Sequence, residues 1–332
     1  MQVIYYPTFE IGNETWLKFA LLYLDKLGPI IPYAGDAYLS DRFWKLRSET
    51  DLIEVHRPDY SEGHAATRDA IDQIEKILRN PERYEDIFHT ANVLEAWRNP
   101  ARQRARLFED KYTDNWDHFC IGNKLARTTP QGLLLAEDLA NLYMTVLGHT
   151  IADARGVSPI TDHPALDRFA VFTRSTDPSD VAGMATAQAV IRLHVPANLS
   201  EVPVDSVIRH RNRPEFKERQ KAFHHELNEF IAGAEERPRP REFPEVLGSA
   251  WSDFSDDILK VGTGAVAFGL GVWLLLGSGH VELPKALKEI AGGLSLAVGS
   301  GLTITNTWRN TKTKRWTRKY LADLRQLKPA AV

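Results

Sequence analysis

Residues 3–32 read VIYYPTFEIGNETWLKFALLYLDKLGPIIP, and this stretch sets the class of the fold. Val3, Ile4, Tyr5 and Tyr6 are β-branched or aromatic and stop at Pro7, the pattern of a short strand. Asn13 is placed to cap a helix whose apolar positions Trp16, Phe19, Ala20, Tyr23, Leu24 and Leu27 keep the 3.6-residue period, with Gly28-Pro29 expected to end it. Ile30 and Ile31 then read as a second strand, stopped by Pro32. This β-α-β opening predicts a small N-terminal sheet flanked by helices.

Further along, helices are expected near 41–47, 61–77 and 82–97, with a third short strand at 52–55. Residues 101–117 carry Arg102, Arg104 and Arg106 beside Tyr112 and Trp116. Arginines among aromatics can contact nucleic acid, but Glu109, Asp110, Asp114 and Asp117 follow directly, so a solvated helix face is the expectation. Thr129-Pro130 is read as the start of a helix with Pro in its first turn, an apolar stripe from Leu134 to Ile151, and Gly156 as its terminator. A short strand ending in Thr161-Asp162 follows, with another strand candidate at 188–195 and a charge-rich helical stretch over 203–235.

Two long uncharged stretches stand near the carboxyl end, VGTGAVAFGLGVWLLLGSG at 261–279 and IAGGLSLAVGSGLTITNTW at 290–308. Each has 19 residues, about 28 Å as a helix against the ~30 Å of a bilayer's hydrocarbon core. Small residues recur at helical spacing: Ala265 with Gly269, Ala267 with Gly271, then Gly293, Ala297 and Gly301. Such spacing leaves a shallow face for a second helix, so an antiparallel hairpin is expected, either inserted in a membrane or packed within protein. The basic tail that follows holds Arg309, Lys312, Lys314, Arg315, Arg318, Lys319, Arg325 and Lys328 against Asp323 alone. Because the whole chain is at −3, this tail of net +7 leaves −10 on residues 1–308. An acidic body with a basic end suits an anionic lipid surface, a nucleic acid or the body's own acidic face, packing of the hairpin with copies of itself is the further partnership expected, and the excess of positive charge places this end in the cytoplasm.

The expected organisation is therefore a predominantly helical α/β body over 1–235, a Pro-rich linker at 236–245, and a Gly-rich helical hairpin with basic tail over 246–332. With 43% hydrophobic and 26% charged residues the chain is globular in composition. Cys120 is the single cysteine, which excludes an internal disulfide and fits a reducing, cytoplasmic compartment, with or without attachment to the inner membrane. The first residues lack a basic run followed by an apolar one, so no secretory signal is expected.

Several stretches taken together resemble an uncharacterised bacterial family, a domain of unknown function. They are Tyr5-Tyr6-Pro7, Trp16-Leu17-Lys18 with Leu22-Tyr23-Leu24-Asp25-Lys26 and Ile31-Pro32, Tyr143-Met144 with Pro159-Ile160-Thr161-Asp162, and Val207-Ile208 with Arg211 to Arg219 and Phe223. The likeness spans roughly residues 3–231 and implies a mixed α/β bacterial protein, with no activity attached.

Candidate chemistry is sparse. Gly262-Thr263-Gly264-Ala265-Val266-Ala267 fits G-x-G-x-x-A, but the residues before it read as helix and Pro284 interrupts any strand after it, so no nucleotide cofactor is expected. His118-x-Cys120 and His224-His225 lack partners at zinc-ligand spacing. Glu137, Asp138, Asp162 and Asp167 form the one arrangement suggesting catalysis: helix, glycine, strand and Thr-Asp is similar to the layout of PIN-type nucleases, whose carboxylates hold Mg²⁺ or Mn²⁺ to hydrolyse nucleic acid. The first strand lacks the acid such enzymes carry, with Glu10 set beyond Pro7. The leading expectation is a non-catalytic protein that uses its hairpin for membrane association or helix assembly, and the alternative is a metal-dependent hydrolase.

Overall fold

A computed structural model of the chain describes residues 2–90, 92–163, 166, 169, 172, 173, 199–235, 316, 319, 320 and 323. The protein is α/β and predominantly helical, with two small three-stranded sheets. Its elements run β1 (Gln2–Tyr5), α1 (Glu14–Tyr23), β2 (Lys26–Pro29), α2 (Asp41–Glu49), α3 (Tyr60–Arg79), α4 (Glu85–Phe88), α5 (Val93–Arg98), β3 (Gln103–Phe108), α6 (Asp114–Gly122), β4 (Ala126–Thr129), β5 (Gly132–Ala136), α7 (Glu137–Arg155), β6 (Ser158–Ile160), α8 (Val204–Arg211) and α9 (Pro214–Glu235). They fall into two compact units, Met1–Asn13 with Leu24–Ser175, and Glu14–Tyr23 with Thr176–Val332. The strand candidate at 188–195, the linker at 236–245 and both uncharged stretches, with Ala265, Ala267, Gly269, Gly271, Gly293, Ala297 and Gly301, lie outside the described residues.

The first unit is built on a parallel sheet in the order β2-β1-β6. Val3 pairs with Leu27 on one side and Ser158 on the other, and isolated parallel bridges from Leu27 to Ile53 and Ile30 to His56 add a fourth extended segment beside β2. Of the strand expected at 52–55, Ile53 makes one of these bridges, and His56, one residue beyond it, makes the other. A second, antiparallel sheet runs β3-β5-β4. One apolar core, in which Ile4, Tyr6, Trp97, Trp116, Leu133 and Leu147 take part, joins both sheets to α3 and α7. α3 begins with a full capping box: the Asp59 side chain accepts from the Glu62 N–H, and Glu62 reaches back to the Asp59 N–H.

Four sequence expectations are corrected here. Helix α1 stops at Tyr23, and Lys26–Pro29 is the strand rather than Ile30-Ile31. Gly28 is needed for strand contact and not for helix termination, since a Cβ there would meet Ile4 Cδ1 at 3.2 Å and the Val3 carbonyl at 3.3 Å. Residues 103–108 are strand and not a helix face: Arg104 and Arg106 are exposed while Gln103 and Leu107 are buried, a two-residue period that the neighbouring acids obscure. Thr129-Pro130-Gln131-Gly132 forms the turn of a β-hairpin instead of opening a helix, and α7 starts at Glu137. The Thr129 hydroxyl closes that turn by donating to the Gly132 carbonyl at 2.9 Å. The helical pattern over 82–97 is also broken, because His89 takes a left-handed conformation after α4 (φ 51°). Gly156 caps α7 as expected, at φ 64°.

The second unit gathers α1, α8 and α9. The last carbonyls of α1 have no partners within the helix, and side chains from far along the chain supply them. Arg211 donates to the Leu21 carbonyl at 2.6 Å, Gln220 to that of Leu22 at 2.9 Å, and the His224 ring N–H to that of Tyr23 at 2.7 Å. Arg211 is 1% exposed, so a full positive charge is buried at the negative end of the α1 dipole. Tyr320, from the tail, is buried against Tyr23, Phe216 and Phe223, and its hydroxyl also donates to the Leu22 carbonyl. Asp323 pairs with Arg219. Among the described residues no helix is long and apolar enough to cross a membrane.

Gly132 is the position least able to carry a side chain. Its φ is +132°, and a Cβ would stand 2.2 Å from the Leu107 carbonyl oxygen. Gly132→Ala is expected to lower stability by about 2–4 kcal/mol through strain and collision in the β3–β5 pairing, read as a fall in the urea midpoint without a change of slope.

Candidate functional site at the carboxyl edge of the parallel sheet

Parallel α/β sheets bind ligands beyond the carboxyl ends of their strands, where neighbouring strands send their connections in opposite directions. In this protein the carboxyl ends of the paired neighbours β1 and β6 meet at one such edge. Asp162 stands there, two residues past β6. Its Oδ1 accepts from the Tyr5 hydroxyl at 2.7 Å and its Oδ2 from the Asn13 N–H at 3.3 Å. The Tyr5 oxygen also lies 2.8 Å from Thr8 Oγ1 and 3.1 Å from the Glu10 carbonyl. Burial drives the Tyr5 hydroxyl far above its usual range, and the Asp162 carboxylate adds to the shift, so the phenol stays protonated and donates.

The loops after β1 and β2 are tied to one another. Glu10 accepts from both the N–H and the hydroxyl of Ser40, each at 2.6 Å, and Ser40 in turn caps α2. Arg57 forms a two-pronged pair with Asp36 at 2.7 and 2.8 Å and donates to the carbonyls of Ile31 and Pro32. Its guanidinium also lies 5.0 Å from the ring centre of Tyr33, which is 73% exposed. Arg106 is held by the Tyr38 hydroxyl and Gln131, each at 2.7 Å. Aromatic faces therefore project at this edge, each backed by an arginine already engaged.

Beneath the β1 loop lies Lys111, 2% exposed. Its Nζ meets the Met144 sulfur at 3.5 Å and stands 4.8 Å from the Phe9 ring centre. Burial without a carboxylate partner pushes this amine down to about 7. Phe9 is itself fixed from two sides: Phe108 is 5.5 Å away, and the ring occupies the space over Gly35, where a Cβ would reach it at 2.9 Å. The Tyr143 hydroxyl donates to the Lys111 carbonyl at 2.7 Å and sets the backbone here.

A second buried polar group lies on the fourth extended segment. His56, 4% exposed, lies with its Nε2 2.8 Å from Glu62, which also accepts from the Asp59 N–H and has Arg155 at 3.7 Å. Burial lowers the His56 pKa against the opposing pull of Glu62. The ring is thus neutral near pH 7 and donates through Nε2.

Of the residues singled out from sequence, Asp162 occupies the expected strand end. Glu137 and Asp138 open α7, a helix of 19 residues, and β6 follows its far end. Asp167 lies outside the described residues. Among the described residues no three His, Cys, Asp or Glu side chains gather closely enough to hold a metal ion. Of the basic tail, Lys319 is described, in helical conformation. Sequence reading missed Tyr5 as the partner of Asp162, and it missed Lys111 and His56 altogether. The one available signal was a lysine flanked by Phe108 and Tyr112 in a stretch otherwise rich in acids. No protein-family model, curated protein or solved structure matches the chain.

The depressed Lys111 pKa has a definite sign in stability. Between about 7 and 10.5 the unfolded chain binds the proton and the folded chain does not, so the folded state gains stability as pH rises through that window. Lys111→Met keeps the volume and removes the amine. The variant is expected to exceed the parent in stability by a few kcal/mol at pH 6, on the order of 1.4 kcal/mol for every tenfold weakening of proton binding on folding. The gap should close toward pH 10.5 in urea titrations.

Proposed function

We propose that this is a non-catalytic bacterial protein whose acidic α/β body senses or regulates, while the small-residue segments at 261–279 and 290–308 associate with an anionic membrane surface or with the same segments of another copy. The observation that supports this reading is the return of the chain. α9 ends at Glu235 in the helical unit, and Tyr320 is buried in that same unit against Tyr23 and Phe223. Both uncharged segments therefore fall, in sequence, between two stretches of the same unit. The proposed kinship with the bacterial family draws on motifs that meet in space, since Tyr5 of the first and Asp162 of the third are hydrogen-bonded.

Full-length protein expressed in bacteria is expected in the membrane fraction or as an oligomer, and Leu275→Lys should shift it to soluble monomer by placing a charge within the first segment. Equal recovery of both proteins as soluble monomers would remove the reading. Substitution is preferable to truncation after Pro244, which would take Tyr320 out of its core.

A second reading, a Mg²⁺- or Mn²⁺-dependent hydrolase acting on nucleic acid, is favoured by the position of Asp162 at the β1/β6 boundary. It predicts metal-dependent cleavage of single-stranded RNA or DNA by the parent protein and at least a hundredfold loss in Asp162→Asn. Equal background in both proteins counts against it.

A further inference from the structure

We propose that Lys111 is a carbonyl-reactive lysine, a covalent binding site for a small uncharged aldehyde or ketone at the carboxyl edge of the parallel sheet. The inference is independent of how the segments after residue 235 behave, so either can fail alone. Three observations carry it. The side chain is 2% exposed, and its nitrogen faces a thioether and an aromatic ring, Met144 at 3.5 Å and Phe9 at 4.8 Å. No ion pair to Lys111 occurs among the described residues. Asp110, next in the chain, accepts from the Tyr33 N–H at 3.1 Å.

A lysine held between apolar walls is activated by desolvation, the arrangement that amine-nucleophile enzymes use to keep a free lone pair near neutral pH. The pKa of about 7 is consistent with this, leaving about half the amine unprotonated at pH 7. The sulfur of Met144 can accept an N–H, which leaves the nitrogen lone pair free. That pair attacks the carbonyl carbon while the C=O π electrons move to oxygen. The nitrogen loses a proton and the oxygen gains one, giving a carbinolamine. Protonation of its hydroxyl by solvent and loss of water form the C=N bond, and the nitrogen returns its remaining proton to solvent. Amine and carbonyl go in, imine and one water come out, and no oxidant or reductant is consumed. Phe9 serves as the cover: it is half-buried in the loop after β1, and its ring lies over both the amine and Gly35. The ring and the thioether select for an uncharged, short carbon chain.

The test is reductive trapping of the full-length folded protein at pH 7 with propionaldehyde and cyanoborohydride, followed by peptide mapping. The adduct at Lys111 is expected to form at least tenfold faster than those at the exposed Lys45 and Lys124. It should be absent from Lys111→Met and form faster still in Phe9→Ala, with Phe9→Leu as the replacement if the alanine variant does not fold. Modification of Lys111 no faster than of Lys45 and Lys124 in the folded parent protein would overturn the proposal. An unchanged Lys111 rate in both folded Phe9 variants would overturn the role of that ring.

Discussion

Strand β1 pairs on both edges at once, with β2 on one side and β6 on the other. Its partners come from residues 26–29 and 158–160, so one four-residue strand joins the first segment of the chain to one more than 150 residues later. Val3, Ile4 and Tyr5 are each 1% exposed or less, which leaves no room for a shift in register: a slip by one residue would turn Tyr5 away from Asp162 and bury another side chain in its place. The carboxyl edge where Asp162, the Glu10–Ser40 tie and the Phe9 cover come together is a consequence of that register.

Two buried cations illustrate two solutions to one electrostatic problem. The guanidinium of Arg211 is met by the carbonyl end of α1, where the helix presents partial negative charge and a carbonyl at 2.6 Å. Lys111 faces a sulfur and a ring, which stabilise an ammonium weakly, and it yields its proton instead. An arginine could not respond this way, since its guanidinium does not deprotonate in proteins. His56 takes a third course, being neutral and held by Glu62, the same residue that closes the capping box of α3.

How far the chain could be read depended on whether a residue's role was set by its neighbours in sequence. The helix from Tyr60, the stop at Gly156, the strand ending in Thr161-Asp162 and the first strand before Pro7 were all legible, because capping residues, glycine and proline act locally. Residues 130–136 were misread because Leu134 and Leu135 fit a helical stripe as well as a buried strand, and only their pairing with Arg106 and Ala105 decides between the two. Arg104 and Arg106 misled for the opposite reason: their alternation is that of a strand, but flanking acids suggested a solvated helix.

By itself the sequence determined the class, mostly helical with a small sheet near its start, and it pointed to Asp162, because both follow from short-range patterns of apolar period and turn residues. It could not pair Tyr5 with Asp162, gather Arg211, Gln220 and His224 onto the end of α1, or enclose Lys111 between Phe9 and Met144. Those arrangements join residues 33 to 201 positions apart. Burial and the loss of water, which fix the charge of a lysine or the proton of a tyrosine, are properties of what surrounds a side chain in space, and only the tertiary structure decided them.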